Sequence, residues 1–319
     1  MNRRRFFQRS ASVWVSSLLP QWAGSASLSR KRRIHIGAET NAFGVPIKPL
    51  SHLLELVSTL SKLGYEGFET NTRCLEEGRD QPAKVRREFE ARDIRLISAY
   101  SHGGLYTREL ADRTIAENRR IAHYVAAMGA SYLILGGPRL AHVDGKLDMT
   151  AVHNTTEGLN RLGEAVQKEG LKLCYHNHWM EFEDDPSEMS FILKETDPQL
   201  VWLNYDIGNC YIHHLGFGPN PAAFSREHFR RIAIYHIKDV GLNSQGKAVN
   251  TELGAGRIGL KDVVAPLLQS DWEGWLTVEQ EGNYPKGWQH PVAVMRQARD
   301  YLALLTSSWK GSDASGDRD

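Results

Sequence analysis

Eight short apolar segments, each followed by a polar turn and then by an amphipathic stretch, predict a single (β/α)8, or TIM, barrel in the α/β class. Two further observations agree. The chain has 319 residues, enough for one such barrel. The turn after the first apolar segment, Gly37-Ala38-Glu39-Thr40-Asn41, lacks the glycine-rich phosphate loop that would favour a doubly wound sheet.

The strand segments run Ile34–Ala38, Gly67–Thr70, Ile94–Tyr100, Tyr132–Leu135, Leu171–His176, Val201–Ile207, Ile232–Ile237 and Trp275–Glu279. Each is short and ends in a turn bearing Gly, Asn, Asp or Pro, and most are rich in β-branched or aromatic residues. The intervening stretches have helical spacing. Leu53, Leu54, Val57 and Leu60 mark one, Ile121, Tyr124, Val125 and Met128 another, and Leu159, Leu162 and Val166 a third. Val263, Leu267 and Leu268 mark a helix near the end. No repeat of 20–50 residues is evident beyond this alternation. The barrel is expected over residues 33–306, and the polar residues 307–319 as a frayed tail.

Composition narrows the function classes. Apolar residues make up 41% and charged residues 24%, which suits a globular core. The formal charge is only +1, with no basic block beyond the N-terminus, so no footprint for nucleic acid is seen. Cys74, Cys174 and Cys210 are too few for a disulfide framework and read as buried small residues.

Residues 1–26 read as an address. Arg3-Arg4-Arg5-Phe6-Phe7-Gln8 resembles the twin-arginine export motif, and a modest apolar stretch and small residues follow, ending near Ala26. That stretch is too short and interrupted for a stable membrane anchor, which needs roughly 20 apolar residues. Cleavage would remove four arginines and no acids, changing the formal charge from +1 to −3 (35 basic against 38 acidic). A periplasmic or extracellular location is therefore expected.

Strand parity then sorts the polar residues, because alternate residues face the barrel interior. On the last strand Leu276 and Val278 suit the helices, which turns Trp275, Thr277 and Glu279 inward. Val201, Leu203, Tyr205 and Ile207 face out, so Asp206 faces in. Leu171, Leu173 and Tyr175 face out, so Cys174, His176 and His178 face in, and His236 shares a parity with Lys238. His176, Asp206, His236 and Glu279 thus sit at the C-terminal ends of four consecutive strands, the face that carries barrel active sites. Carboxylates and imidazoles gathered there oppose folding unless a cation joins them. Their mixed donors suit one divalent metal ion: Mn2+ first, with Zn2+, Co2+, Fe2+ and Mg2+ as alternatives. Lys238 and Asp239 are open to two readings, a structural ion pair or a substrate role.

The segments Tyr175-His176-Asn177-His178, Asp206-Ile207-Gly208-Asn209, His236-Ile237-Lys238-Asp239 and Val278-Glu279-Gln280-Glu281 resemble the xylose isomerase-like TIM-barrel superfamily, as does the Gly254-Ala255-Gly256 turn. That superfamily includes D-tagatose 3-epimerase, inosose dehydratase and endonuclease IV, and the resemblance covers roughly residues 33–305. In its epimerase-like members one divalent ion is held by Glu, Asp, His and Glu. Carried over, these imply Asp206, His236 and Glu279, while His176 stands where the first Glu is expected and Glu181, a few residues beyond, could reach back to complete the set. The two glutamates of epimerases move protons on opposite faces of an enediolate, so this departure bears on the reaction. Endonuclease IV fits poorly, because its three-zinc site needs more ligands than the sequence offers.

The resemblance implies a metal-dependent sugar isomerase or epimerase, with proton transfer beside a carbonyl. Glu279 or His178 would be the base, and Lys238 would neutralise oxyanion charge. The alternatives are a lyase or dehydratase acting on a keto-sugar or keto-glycoside, and a non-catalytic carbohydrate-binding barrel. Glu69, His102, Glu181 and Trp179 are expected to bind or surround the substrate, with Tyr100, Tyr284 and Trp288 as further aromatic groups at strand ends. The partner expected is a small sugar-like molecule, and the oligomeric state is left open.

Overall fold

The computed structural model describes residues 33–44, 47–212, 219–280 and 291–307. The export segment, Glu281, Tyr284 and Trp288 lie outside the described residues.

Eight parallel strands close into one barrel: β1 (Ile34–Glu39), β2 (Gly67–Asn71), β3 (Arg95–His102), β4 (Tyr132–Gly136), β5 (Lys172–His176), β6 (Val201–Asp206), β7 (Ile232–Ile237) and β8 (Gly274–Val278). Strand β8 pairs with β1 from Ile34↔Gly274 to Ala38↔Val278, which shuts the ring and leaves no open edge. All eight expected strands are present. The largest difference is β3, which runs on to His102 because its end stays paired with β4 as far as Gly136.

Helices α1 (Leu50–Lys62), α2 (Pro82–Glu90), α3 (Arg108–Ala127), α4 (Met149–Lys168) and α5 (Glu188–Glu195) follow the first five strands. Helices α6 (Ile207–Ile212) and α7 (Pro221–His228) follow β6, and α8 (Leu260–Gln269) and α9 (Pro291–Ser307) follow β7 and β8. Side-chain caps start several of them. Thr107 accepts from Leu110 N, Asp148 from Thr150 N and Ala151 N, and Asn220 from Ala222 N and Ala223 N. Helix α9 runs to Ser307, one residue past the expected end of the barrel.

The buried faces match the sequence periodicity. Leu53, Val57, Leu60, Leu159, Leu162 and Val166 are fully buried against the outer sheet face, where they meet Leu173, Tyr175, Leu203, Tyr205, Leu276 and Val278. The opposite parity fills the barrel. Ile97, Ile134, Cys174, Ala233, Ile234 and Trp275 form a separate apolar cluster inside it. Each large side chain so buried contributes about 1.5–3 kcal/mol. All three cysteines are free and buried, as expected.

One local device positions the mouth. After β7, a hairpin of Asp239–Leu242 with Ala248–Thr251 leads to the Gly254-Ala255-Gly256 turn. The Asp239 carboxylate accepts backbone N–H bonds from Val240, Gly254, Gly256 and Ile258, at 2.9, 3.0, 3.1 and 3.3 Å. A Cβ on Gly256 would lie 2.1 Å from Asp239 Oδ1, so only glycine permits this wrap. Asp239 is therefore committed to backbone amides. The ion pair of Lys238 with Asp239 entertained from sequence does not form.

Candidate active site

The C-terminal mouth of the barrel opens into a cavity of about 260 Å3. Glu39 and Asn41 line it from the end of β1, Glu69 and Asn71 from β2, and Tyr100 and His102 from β3. His176 and His178 come from β5, Asn209 from α6, His236 from β7 and Glu279 from β8.

The four residues expected to hold a metal meet on one wall. Ligand atoms of His176, Asp206 and His236 all lie within 4.8 Å of one another, and all three residues are buried. Glu279 is not within that trio but adjoins it, with Oε2 2.6 Å from His236 Nδ1. His176 Nδ1 is buried with no hydrogen bond among the described residues, while Asp206 Oδ2, His236 Nδ1 and Glu279 Oε2 are buried against charged neighbours: Oδ2 faces Lys238 Nζ, and Nδ1 and Oε2 face each other. Gathering such groups out of water is costly in a folded protein. Two nitrogens and a carboxylate oxygen from the trio, with the Glu279 carboxylate beside them, are donors of the kind that suit a divalent ion.

The surrounding charges hold this set in place. Lys238 Nζ lies 2.8 Å from Asp206 Oδ2 and 3.3 Å from Glu279 Oε1. The side chain of Lys238 is almost completely buried and does not line the cavity; among the described residues its ammonium pairs with these two carboxylates. It passes directly over Gly208, where a Cβ would come within 2.1 Å of Lys238 Cγ. Glu69 stands behind His236, with Oε1 3.0 Å from Nε2, and accepts from Ser98 Oγ at 2.6 Å. Asn177 ties β5 to β6: its amide donates to Asp206 O and its oxygen accepts Asp206 N–H, both at 2.9 Å. Asp206 Oδ1 accepts the Asn209 N–H at 2.7 Å, which leaves Oδ2 for the site.

Electrostatics reflect the crowding. Burial lifts Asp206 to about 6, against the pull of Lys238 and with the push of Glu279. Glu279 is held well below the carboxylate range. Burial opposes this, but the Lys238 and His236 charges outweigh it. Burial also disfavours the His236 cation, yet Glu69 and Glu279 raise its basicity well above the ordinary value. Burial and then the neighbouring His236 push His176 well below it, leaving a neutral imidazole of the kind metals bind.

His178 stands beside the trio, its ring 4.9 Å from that of His176 and its Nε2 3.5 Å from Tyr100 Oη. Burial opposes its charge, but the hydrogen bond and charge of Glu181 raise its basicity overall. Here the sequence expectation is corrected. Glu181 neither reaches back to the metal donors nor lines the cavity. It is fully buried behind His178, accepting the His178 N–H at 2.7 Å and the Tyr175 hydroxyl at 3.3 Å, with Oε1 3.6 Å from His178 Nδ1. Trp179 is half-buried outside the cavity, with the Arg139 guanidinium 5.5 Å from its ring centroid. His102 does border the cavity, at the exposed rim. Sequence reasoning missed Glu39, Asn41, Asn71 and Asn209. Glu39 was within reach, since Ile34, Ile36 and Ala38 pack outward and so turn it inward.

The comparisons agree with this fold. The family described as "Xylose isomerase-like TIM barrel" matches residues 57–303, and the chain belongs to that family. An inosose dehydratase from Clostridium tetani is 25% identical over 276 residues, covering 78% of this chain and 88% of the relative. A xylose isomerase-like barrel protein from Mycobacterium smegmatis, solved in complex with magnesium, superposes with a TM-score of 0.66. It is 18% identical and covers 86% of this chain and 97% of its own. The D-allulose 3-epimerase from Methylomonas, solved with D-allulose, gives a TM-score of 0.65 at 16% identity, over 86% of this chain and 97% of its own.

Proposed function

We propose that this protein is a lyase that eliminates water or an alcohol from a sugar-like ketone, with one divalent cation held by His176, Asp206 and His236 beside Glu279. The observation that carries this reading is the convergence of buried His176, Asp206 and His236 ligand atoms within 4.8 Å of one another, with the His178 imidazole next to them. Bound there, the cation supplies Lewis-acid polarisation of a carbonyl. His178 then takes the proton from the carbon next to that carbonyl, with Glu181 fixing its ring and raising its basicity. Lys238 holds Asp206 and Glu279 in their ionised, ligand-ready form without touching the substrate.

Elimination leads because His176 occupies the place of the first epimerase glutamate and because the relatives over most of the chain include inosose dehydratases. Isomerisation or epimerisation is the second reading, supported by the likeness to the D-allulose 3-epimerase and by the several carboxylates at the mouth. The same proton abstraction serves both. The donor set does not single out an ion, and Mn2+ remains first among Zn2+, Co2+, Fe2+ and Mg2+. Export through the twin-arginine route is part of this proposal and rests on the Arg3–Gln8 motif.

The test is incubation with inosose, D-allulose and a 3-keto-glucoside in deuterated solvent. Elimination yields an unsaturated ketone, and epimerisation yields a deuterated isomer. Neither product, and no deuterium in recovered substrate, would reject proton transfer altogether.

A further inference from the structure

The reading above leaves one carboxyl of the cavity without a role. Glu39 closes β1, is 2% exposed and lines the cavity. In the ring order of the strands, β1 and β5 are separated by three strands on either side. Glu39 and the His176–His178 segment therefore stand on opposite walls of the mouth.

The carboxyl of Glu39 is fixed from several directions. It lies in register with Glu69 on the neighbouring strand. Its Oε2 accepts the Asn41 N–H, which also caps the short helical turn Thr40–Phe43. The Asn41 amide donates onward to Glu279 Oε1 at 3.5 Å. Below it, Thr40 Oγ1 meets Thr70 Oγ1 at 2.8 Å and pins β1 to β2. Among the described residues the Glu39 carboxyl has no ion-pair partner; a carboxyl so buried costs stability if ionised, and its place on a cavity wall marks it as a functional group.

We propose that Glu39 is the catalytic acid of the site, delivering its proton to the departing oxygen across the cavity from the base His178. This rests on the proton-transfer reading given above. Burial first, then the charges of Glu279 and Glu69, hold the Glu39 carboxyl well above the carboxylate range, as a proton donor requires. His178 stands on the other wall, its backbone N–H held by Glu181 at 2.7 Å. A carboxyl and an imidazole on facing walls of one cavity are placed to act on opposite sides of a bound substrate.

The step balances without any oxidant. His178 Nε2 takes the proton from the carbon beside the carbonyl, and the C–H electron pair moves onto the carbonyl oxygen as an enediolate. That pair returns to form the C=C bond as the C–O bond at the next carbon breaks. The leaving oxygen takes the Glu39 proton and departs as water or an alcohol. The imidazolium then loses its proton to solvent and the Glu39 carboxylate regains one, so the net change is loss of water or alcohol from the ketone.

The experiment separates the two proton transfers. Wild type, Glu39→Gln, Glu39→Asp and His178→Gln are incubated with inosose, and with 3-keto-glucosides bearing methoxide or 4-nitrophenolate leaving groups, in deuterated solvent. Deuterium in recovered substrate reports the base, and product reports the complete elimination. Glu39→Gln is expected to keep exchange within about threefold of wild type. It should lose about 10²–10³-fold in elimination of water or methanol, the usual worth of a positioned acid. It should recover most of that rate with 4-nitrophenolate, which leaves without a proton. Glu39→Asp should retain part of the elimination, and His178→Gln should lose both readouts. Equal loss of exchange and elimination in Glu39→Gln with retained circular dichroism, the same loss with every leaving group, or no loss at all would each overturn the assignment. A wild type inactive in both readouts would reject the proton-transfer reading and the assignment with it.

Discussion

The floor and the mouth of this barrel are built from the same strands and the same inward parity, yet they follow opposite physics. At the floor, Ile97, Ile134, Cys174, Ala233, Ile234 and Trp275 pack as an apolar plug. One or two inward steps further along the same strands stand Tyr100, His176, His236 and Glu279, and among them are buried imidazoles and carboxylates pressed against one another. The floor releases free energy by leaving water, whereas the mouth costs free energy by keeping charges from it. The stable end thus holds the costly end in position, and stability and activity should respond to substitution separately.

The largest expected effect tests the floor. Trp275→Ala should cost about 3–5 kcal/mol of unfolding free energy in denaturant titration, yet leave metal content per folded molecule unchanged. Loss of metal in the folded fraction would mean that the two ends are not separable. At the mouth, Asp206→Asn should reduce turnover by at least about 100-fold and weaken metal affinity by a similar factor, since even residues behind metal ligands cost 10–100-fold. Calorimetric titration and initial rates measure both.

Adding Mn2+ to chelator-treated protein should raise the melting temperature. Free ion at about 1,000 times Kd contributes about 4 kcal/mol, and each kcal/mol is worth roughly 2–4 °C in a domain of this size. The same addition to Asp206→Asn should shift it far less.

The smallest effect sharpens where the polar region ends. Glu188, in the first turn of α5, accepts the Tyr175 hydroxyl at 3.4 Å and is buried behind Glu181. Burial and then the Glu181 charge push its carboxyl up to about 8. A raised folded-state value means that the fold prefers the protonated form. Its contribution is complete below the unfolded value near 4.5 and is lost as pH rises through about 8. Glu188→Gln should therefore gain stability over wild type as pH increases from 5 to 8, by on the order of 2 kcal/mol at the top of that window. A difference that does not vary with pH would place the Glu188 charge outside the energetics of the fold.

Much of this was legible in the chain. The outward residues of β5, β6 and β8 are apolar at every second position, so period two alone turned His176, Asp206 and Glu279 inward. The same rule applied to β1 turns Glu39 inward, since Ile34, Ile36 and Ala38 pack outward. Asn71 and Asn209 carried no signal, because an asparagine after a strand is also an ordinary turn residue. The place of Glu181 could not be read from spacing. The short helical turn at Met180–Phe182 folds its side chain back under His178, and only the tertiary structure shows the Tyr175 and His178 contacts that hold it there. Lys238 gave a similar ambiguity, resolved when the path over Gly208 carried its ammonium to Asp206 and Glu279 rather than to Asp239.

The most direct test of the central claim, that the buried donors on one wall form a single cation site, is metal content by elemental analysis of the purified protein and of Asp206→Ala/His236→Ala. About one manganese, zinc, cobalt, iron or magnesium ion per wild-type chain is expected, absent from the double variant while its circular dichroism stays folded. A wild type that takes up no metal under any loading condition, or a double variant that keeps a full equivalent, would contradict the claim.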